Sequence, residues 1–350
     1  MKPKAKRPTA IRIPPTAPAN ENNGSKIGVR LQISFPYRAN PEDGTFDRLC
    51  WLILAAQRGR LRTLSTPLMI VNVDSLDEFK AFRAFAREKK HLDIDSTCDI
   101  RNVYSVDTCQ MWLHGFGVFL DANRDPAGAR QLGLLHVPGD LKRIESNERF
   151  LRGLNDMIAR VEAKDGADFV VGDFDINPKE PGVPSAKALI DIYGTYPLMY
   201  NWFPSVAADI RRLGVQRPRS EFFAASTSFL ETWLQRRKFA YEQTLAFLIY
   251  AFSWDPRQTG RVWRVEKVDI GVVADIEDER GFRQATDQVE RTERVIRLLW
   301  REDAERSGIS QDVEARDFLV LDHRSTSIRV NAIICFKNIL TPAAAGHPRA

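Results

Sequence analysis

No apolar run in this chain is long enough to cross a bilayer. The longest, Leu245 to Ala251 with Tyr250 included, falls well short of the roughly 18 to 20 residues that a spanning helix needs. The cysteines, Cys50, Cys98, Cys109 and Cys335, show no Cys-x-x-Cys spacing, so the sequence carries no zinc-ribbon signature. Cys50 beside Trp51, and Cys335 after Ile333-Ile334, sit in apolar contexts and read as buried free thiols of a reducing cytosol rather than as disulfides. The five histidines are scattered, without a His-x-x-x-His pair. No internal repeat is present. Between Pro36 and Gly44 there is a single glycine, so no glycine-rich phosphate loop follows the first strand.

The body also lacks net charge. The formal charge of the whole chain is +5. Residues 1–27 supply all of it: Lys2, Lys4, Lys6, Arg7, Arg12 and Lys26 stand against the single acid Glu21. Basic and acidic side chains balance in the remainder, which argues against a nucleic-acid partner. Residues 1–26 are basic, proline-rich and almost without large apolar side chains, and are expected to be disordered. No apolar stretch follows Arg7, so the tail is not a secretory signal. These features predict a cytoplasmic protein whose tail draws it weakly toward the inner face of an anionic membrane.

At 350 residues, 43% hydrophobic and 28% charged, the chain has material for a large globular core. Ile27 to Phe35 alternates apolar and polar residues and reads as a strand closed by Pro36-Tyr37-Arg38-Ala39-Asn40-Pro41. Phe46, Leu49, Cys50, Ile53 and Leu54 form a helical stripe. Leu68 to Val73 is a second strand ending in Asp74, and Phe79, Phe82 and Phe85 mark the next helix. Ile100 to Val106 and Leu132 to Val137 continue the strands, the latter stopped by Pro138-Gly139-Asp140. Glu148 to Glu162 is strongly amphipathic. Alternating strands and helices predict a parallel sheet with right-handed crossovers.

The helix from Glu148 delivers the chain into Phe169-Val170-Val171-Gly172-Asp173-Phe174-Asp175-Ile176-Asn177-Pro178. An apolar strand ends there in two carboxylates two residues apart, which in extended backbone share one side. Open α/β sheets bind ligands at the carboxyl ends of strands, so Asp173 and Asp175 are candidates for holding one hard cation. Two turn aspartates before Asn-Pro are the plainer alternative. Beyond Pro184 come the aromatics Tyr196, Tyr200, Trp202 and Phe203, then Arg217-Pro218-Arg219, and then apolar helices. An amphipathic helix is predicted over Thr286 to Glu302, with two late strands at Phe318 to Leu321 and Ile328 to Phe336.

This order of elements resembles the GT-A glycosyltransferases, family 2-like and carrying an Asp-x-Asp motif. The resemblance covers roughly residues 27–302. It implies an α/β GT-A (Rossmann-like) three-layer sandwich with a mostly parallel central sheet. Residues 27–180 would be the nucleotide-sugar half and 181–302 the acceptor half, followed by a C-terminal extension (303–340) and a flexible tail (341–350). The implied activity is non-processive, metal-dependent transfer of a sugar from a nucleotide-diphosphate donor to the hydroxyl of a glycan, lipid or small-molecule acceptor. Non-processivity follows from the missing Gln-Arg-x-x-Arg-Trp motif. Pro36, Tyr37, Arg38, Asp74, Asp173, Arg217 and Arg219 would contact the donor. Asp173, Asp175 and His323 would hold Mg²⁺ or Mn²⁺. Glu242, ahead of an apolar helix, would be the catalytic base, with Glu221 next in line.

Each assignment has a bland counterpart. Asp74 and Glu242 are also ordinary acids at helix starts. Arg217 and Arg219 flank a proline and are equally solvated side chains, the aromatics suit a core, and His323 suits a surface. A sugar-nucleotide pyrophosphorylase is the rival enzyme, disfavoured by the single glycine after the first strand. A non-catalytic binding protein on the same fold is the rival from another class.

Overall fold

The computed structural model describes residues 28–36, 41–104, 108–122, 133–141, 143–144, 146–176, 186–235, 243–253, 262–274, 281–306 and 311–340. Among these residues one eight-stranded sheet is formed, in the order β3-β2-β1-β4-β7-β6-β8-β5. Its strands are β1 (Val29–Ser34), β2 (Leu68–Asn72), β3 (Asp99–Val103), β4 (Gly133–Pro138), β5 (Arg143–Ile144), β6 (Phe169–Ile176), β7 (Phe223–Ala225) and β8 (Val265–Ala274). All run in one direction except β5 and β7, which are antiparallel to their neighbours. The result is the Rossmann-like three-layer sandwich expected from the alternating pattern.

Helices cover both faces. On one side lie α1 (Thr45–Gln57), α2 (Leu76–Lys90), α3 (Ile94–Thr97) and α5 (Asn147–Glu162). Their Leu49, Phe82, Ile94, Phe150 and Met157 share a core with Val29, Leu31, Ile33 and Val170. On the other side α4 (Thr108–Ala122), α6 (Ala186–Leu189), α7 (Tyr196–Trp202), α8 (Pro204–Arg212), α9 (Thr227–Leu234), α10 (Gln243–Ser253), α11 (Gly281–Arg306) and α12 (Gln311–Leu340) pack over Leu134, Phe169 and Val171. A π-helical turn, Ile190–Thr195, joins α6 to α7.

The alternation in β1 is real, yet its polar side is buried as deeply as its apolar side. Gln32 lies under α4, where its amide meets the imidazole of His136 at 3.4 Å. Burial alone drives the His136 pKa down to about 3, so this ring is a neutral member of the core. Ser146 caps α5 by accepting the Arg149 N–H at 3.3 Å.

The C-terminal third departs from expectation. Phe318 to Leu321 and Ile328 to Phe336 are not strands but parts of the 30-residue helix α12. Their apolar runs mislead because α12 is apolar on two sides. Leu321, Ser325, Ile328, Ala332 and Phe336, at helical spacing, face the core. Ala332 and Phe336 belong to the same core cluster as the sheet, so α12 packs as part of this layer. The short strands β5 and β7 have no sequence signal of their own, being two and three residues long.

Candidate functional site

The chain lays down β1, moves outward through β2 to β3, then returns to place β4 on the other flank of β1. That reversal makes the carboxyl ends of β1 and β4 the switch point of the strand order, the position at which open α/β sheets take ligands. From β1 come the buried Ser34, whose hydroxyl has no hydrogen-bond partner among the described residues, and the half-buried Pro36. From β4 come Gly139 and the exposed Asp140. A Cβ on Gly139 would stand 2.1 Å from the carbonyl oxygen of Ser34, so only glycine lets the two strand ends approach this closely.

Next to β1, β2 ends in Asn72, whose side chain accepts the Asp74 N–H at 3.3 Å and fixes the turn that leaves Asp74 exposed. The buried hydroxyl of Ser75 is also without a partner among the described residues. Tyr37 and Arg38 lie outside the described residues.

β7 adds a residue to this edge. It is antiparallel, so its start lies beside the carboxyl ends of β4 and β6. Phe223 pairs with both His136 and Val171. Continuing that register puts Glu221 level with Pro138 on one side and Asp173 on the other. Glu221 is half-buried and already engaged in a polar contact. Glu242 lies outside the described residues.

The end of β6 is built differently. Asp173 is 4% exposed and accepts the backbone N–H groups of Gln216 (2.8 Å) and Arg217 (2.9 Å), with Lys267 Nζ at 3.4 Å. Burial pushes its pKa above the usual carboxylate range, against the pull of those donors. Ser220 is tied to the Gly172 carbonyl at 2.5 Å, so the whole segment after Val215 is stitched to β6. Asp175 is exposed, beyond a bulge in which Ile270 and Gly271 of β8 oppose the single residue Phe174. Gly271 takes the positive φ of 94° that this bulge requires.

The two arginines expected at the phosphates are engaged inside the protein. Arg219 donates to Asp191 at 3.0 Å and to Gln288 at 2.9 Å. Arg217 lies 3.7 Å from the same carboxylate, and its buried Nε has no partner. Asp191 also accepts from Thr195 at 3.1 Å. This buried ion cluster clamps the π-helical turn to the segment before β7. Arg219 is therefore a structural cation rather than a phosphate clamp.

The proposed metal shell changes in the same way. Both Asp173 oxygens accept backbone hydrogen bonds and Lys267 lies beside one of them, so this carboxylate is already tied into the fold. His323 is exposed on α12, and Asp173, Asp175 and His323 do not form a three-ligand group. No cluster of three or more potential ligands occurs among the described residues. At this edge of the sheet Asp140 is an exposed carboxylate beside the end of β1, and like Glu221 it already makes a polar contact. Of the aromatics, Trp202 and Phe203 are core, whereas Tyr200 is exposed.

Asp140 was missed because Pro138-Gly139-Asp140 has turn composition. Its signal, an apolar strand ending in an acid, was nevertheless the one read at Asp173. No family model matches the chain, and no curated protein does. Among solved structures it is similar to a manganese complex of Rv0371C from Mycobacterium tuberculosis, at 14% identity over 72% of this chain and 97% of that one, with a TM-score of 0.35. It is also similar to a 4-diphosphocytidyl-2C-methyl-D-erythritol synthase from Anaerococcus prevotii, at 13% identity over 69% of this chain and 87% of that one, with a TM-score of 0.32.

Proposed function

We propose that the chain is a nucleotide-dependent transferase that moves a sugar from a nucleotide-diphosphate donor to an acceptor hydroxyl. The observation carrying this reading is the reversal of strand order between β1 and β4, which sets the exposed Asp140 beside the end of β1, with the hydroxyls of Ser34 and Ser75 nearby. In this reading the nucleoside lies over the ends of β1 and β2, against Pro36 and Asp74, and the diphosphate points toward Asp140. A bound Mg²⁺ or Mn²⁺ would neutralise charge on the departing diphosphate. Glu221, beside Pro138 in the register of β7, would accept the proton of the acceptor hydroxyl. Glu242 keeps that role as an alternative.

A panel of UDP-, GDP- and other nucleotide sugars, each with and without Mn²⁺ or Mg²⁺, tests the reading by thermal shift and nucleotide release. One donor is expected to stabilise the protein in a metal-dependent way and to release its nucleoside diphosphate when an acceptor is present. Pyrophosphate release from a nucleoside triphosphate and a sugar 1-phosphate would replace this reading with nucleotidyl transfer. No response to any nucleotide would overturn both.

A further inference from the structure

Helix α12 packs its inner side on the core, yet its outer side carries apolar side chains as well. Leu319 (67% exposed), Val320 (52%), Val330 (47%) and Ile334 (52%) all project outward. At the α-helical turn angle these four lie within an arc of about 100° that they share with the exposed Arg316, His323, Ser327, Lys337 and Asn338, so this face mixes apolar with polar and basic side chains. Apolar side chains interleaved with basic ones on the solvent side of a helix mark a contact surface.

The charges around the stripe are mainly positive. Arg316, Arg324 and Lys337 are exposed on α12 against the exposed acid Asp317, while Asp322 is held by Arg297 at 2.7 Å. The seam between α11 and α12, on one flank of the stripe, contains a cavity of about 280 Å³. Arg294, Arg297 and Arg301 of α11 and Arg329 of α12 line it, against Glu290 and Glu293. The buried Glu293 carboxylate spans Arg297 (3.9 Å) and Arg329 (3.6 Å) and orients both. Arg294 and Arg301 have no carboxylate partner among the described residues, Arg301 lying 4.1 Å over the Phe318 ring. The other flank is an open groove between α7 and α12, with the exposed Tyr200 beside Leu321, Arg324 and Ile328.

We propose that the outer side of α12, with this arginine cavity and this groove, docks on an anionic lipid bilayer. The apolar stripe enters the boundary between headgroups and acyl chains, and Tyr200 sits at headgroup level. The guanidinium groups of Arg294 and Arg301 take lipid phosphates. This is contact in the plane of the membrane, since no described helix is long and apolar enough to cross one. A second copy of the chain is the poorer occupant, because a face-to-face pairing sets like charges against each other. The basic residues of the N-terminal tail supply a second, separate attraction.

Flotation of the full chain with phosphatidylcholine vesicles, and with vesicles also containing phosphatidylglycerol, tests the proposal. Binding is expected only to the anionic vesicles and is expected to weaken as salt rises. Val330→Asp with Ile334→Asp, and separately Arg294→Ala with Arg301→Ala, should each lower binding on the order of tenfold. All four positions are exposed or line the cavity, and an unchanged melting temperature confirms that the variants fold. Wild-type binding by both variants, with loss only when Lys2, Lys4, Lys6 and Arg7 are all changed to Gln, would assign the membrane to the tail alone and overturn the proposal. So would a concentration-dependent dimer, seen by light scattering, that the stripe variant abolishes while vesicle binding is absent.

Discussion

The ends of β4 and β6 look alike as sequence and differ as structure. Each is an apolar strand that runs into an acid, Asp140 in one case and Asp173 in the other. Asp140 is exposed beside β1, at the point where the strand order reverses. Asp173 is sealed beneath the segment after Val215 and spends both oxygens on backbone N–H groups. A carboxylate at a strand end is thus either sealed beneath a covering segment or left at the surface. Its neighbours in the sheet decide which.

Four substitutions at three positions would break or sharpen this comparison. The largest effect is expected from Asp140→Asn, which should reduce transfer on the order of 10²-fold while leaving the melting temperature nearly unchanged. Retention of full activity would remove β4 from the site. Asp173→Ala should do the opposite. It takes the acceptor from the backbone N–H groups of Gln216 and Arg217 and leaves Lys267 with the Gly214 carbonyl, at a cost of about 2 kcal/mol in urea denaturation, and the donor-induced thermal shift should survive. Loss of that shift in a stably folded Asp173→Ala protein would reverse the two roles.

The same carboxylate gives a pH signature. Burial raises its pKa in the folded chain, so the folded state holds the Asp173 proton to higher pH than the unfolded state. Its contribution favours folding at low pH and declines as pH rises through the raised value. Asp173→Asn, which cannot ionise, should flatten that part of the stability profile. The smallest effect is expected from the exposed Asp175: Asp175→Asn should change stability by less than about 0.5 kcal/mol. An activity loss matching that of Asp140→Asn would extend the site across β7 to β6.

Much of the layered architecture was legible because burial on both sides of a parallel sheet demands apolar strands, and an amphipathic helix such as α5 carries its own period of 3.6. β7 was not legible, since three residues hold too little pattern to register. It is nonetheless the strand that brings Glu221 to the carboxyl edge. Helix α12 was misread because an apolar stripe toward the core and another away from it erase the contrast from which a helical period is recognised. The arginines at 217 and 219 were read as solvent-facing or ligand-facing groups. Their actual partner, Asp191, comes from a turn more than twenty residues away, and no local pattern announces it.

By itself the sequence determined the α/β class, the neutral body with its basic tail, the absence of a spanning segment and the acids that end the strands. These are properties of local periodicity and composition, fixed by residues a few positions apart. Only the tertiary structure decided which acid is open and which is buried, because that depends on strand order and on what covers each strand end. Asp140 gained its place because β4 returns to the flank of β1, where Gly139 admits the close approach to Ser34. Asp173 is tied into the fold because residues remote in sequence fold down over it and donate backbone N–H groups to both of its oxygens.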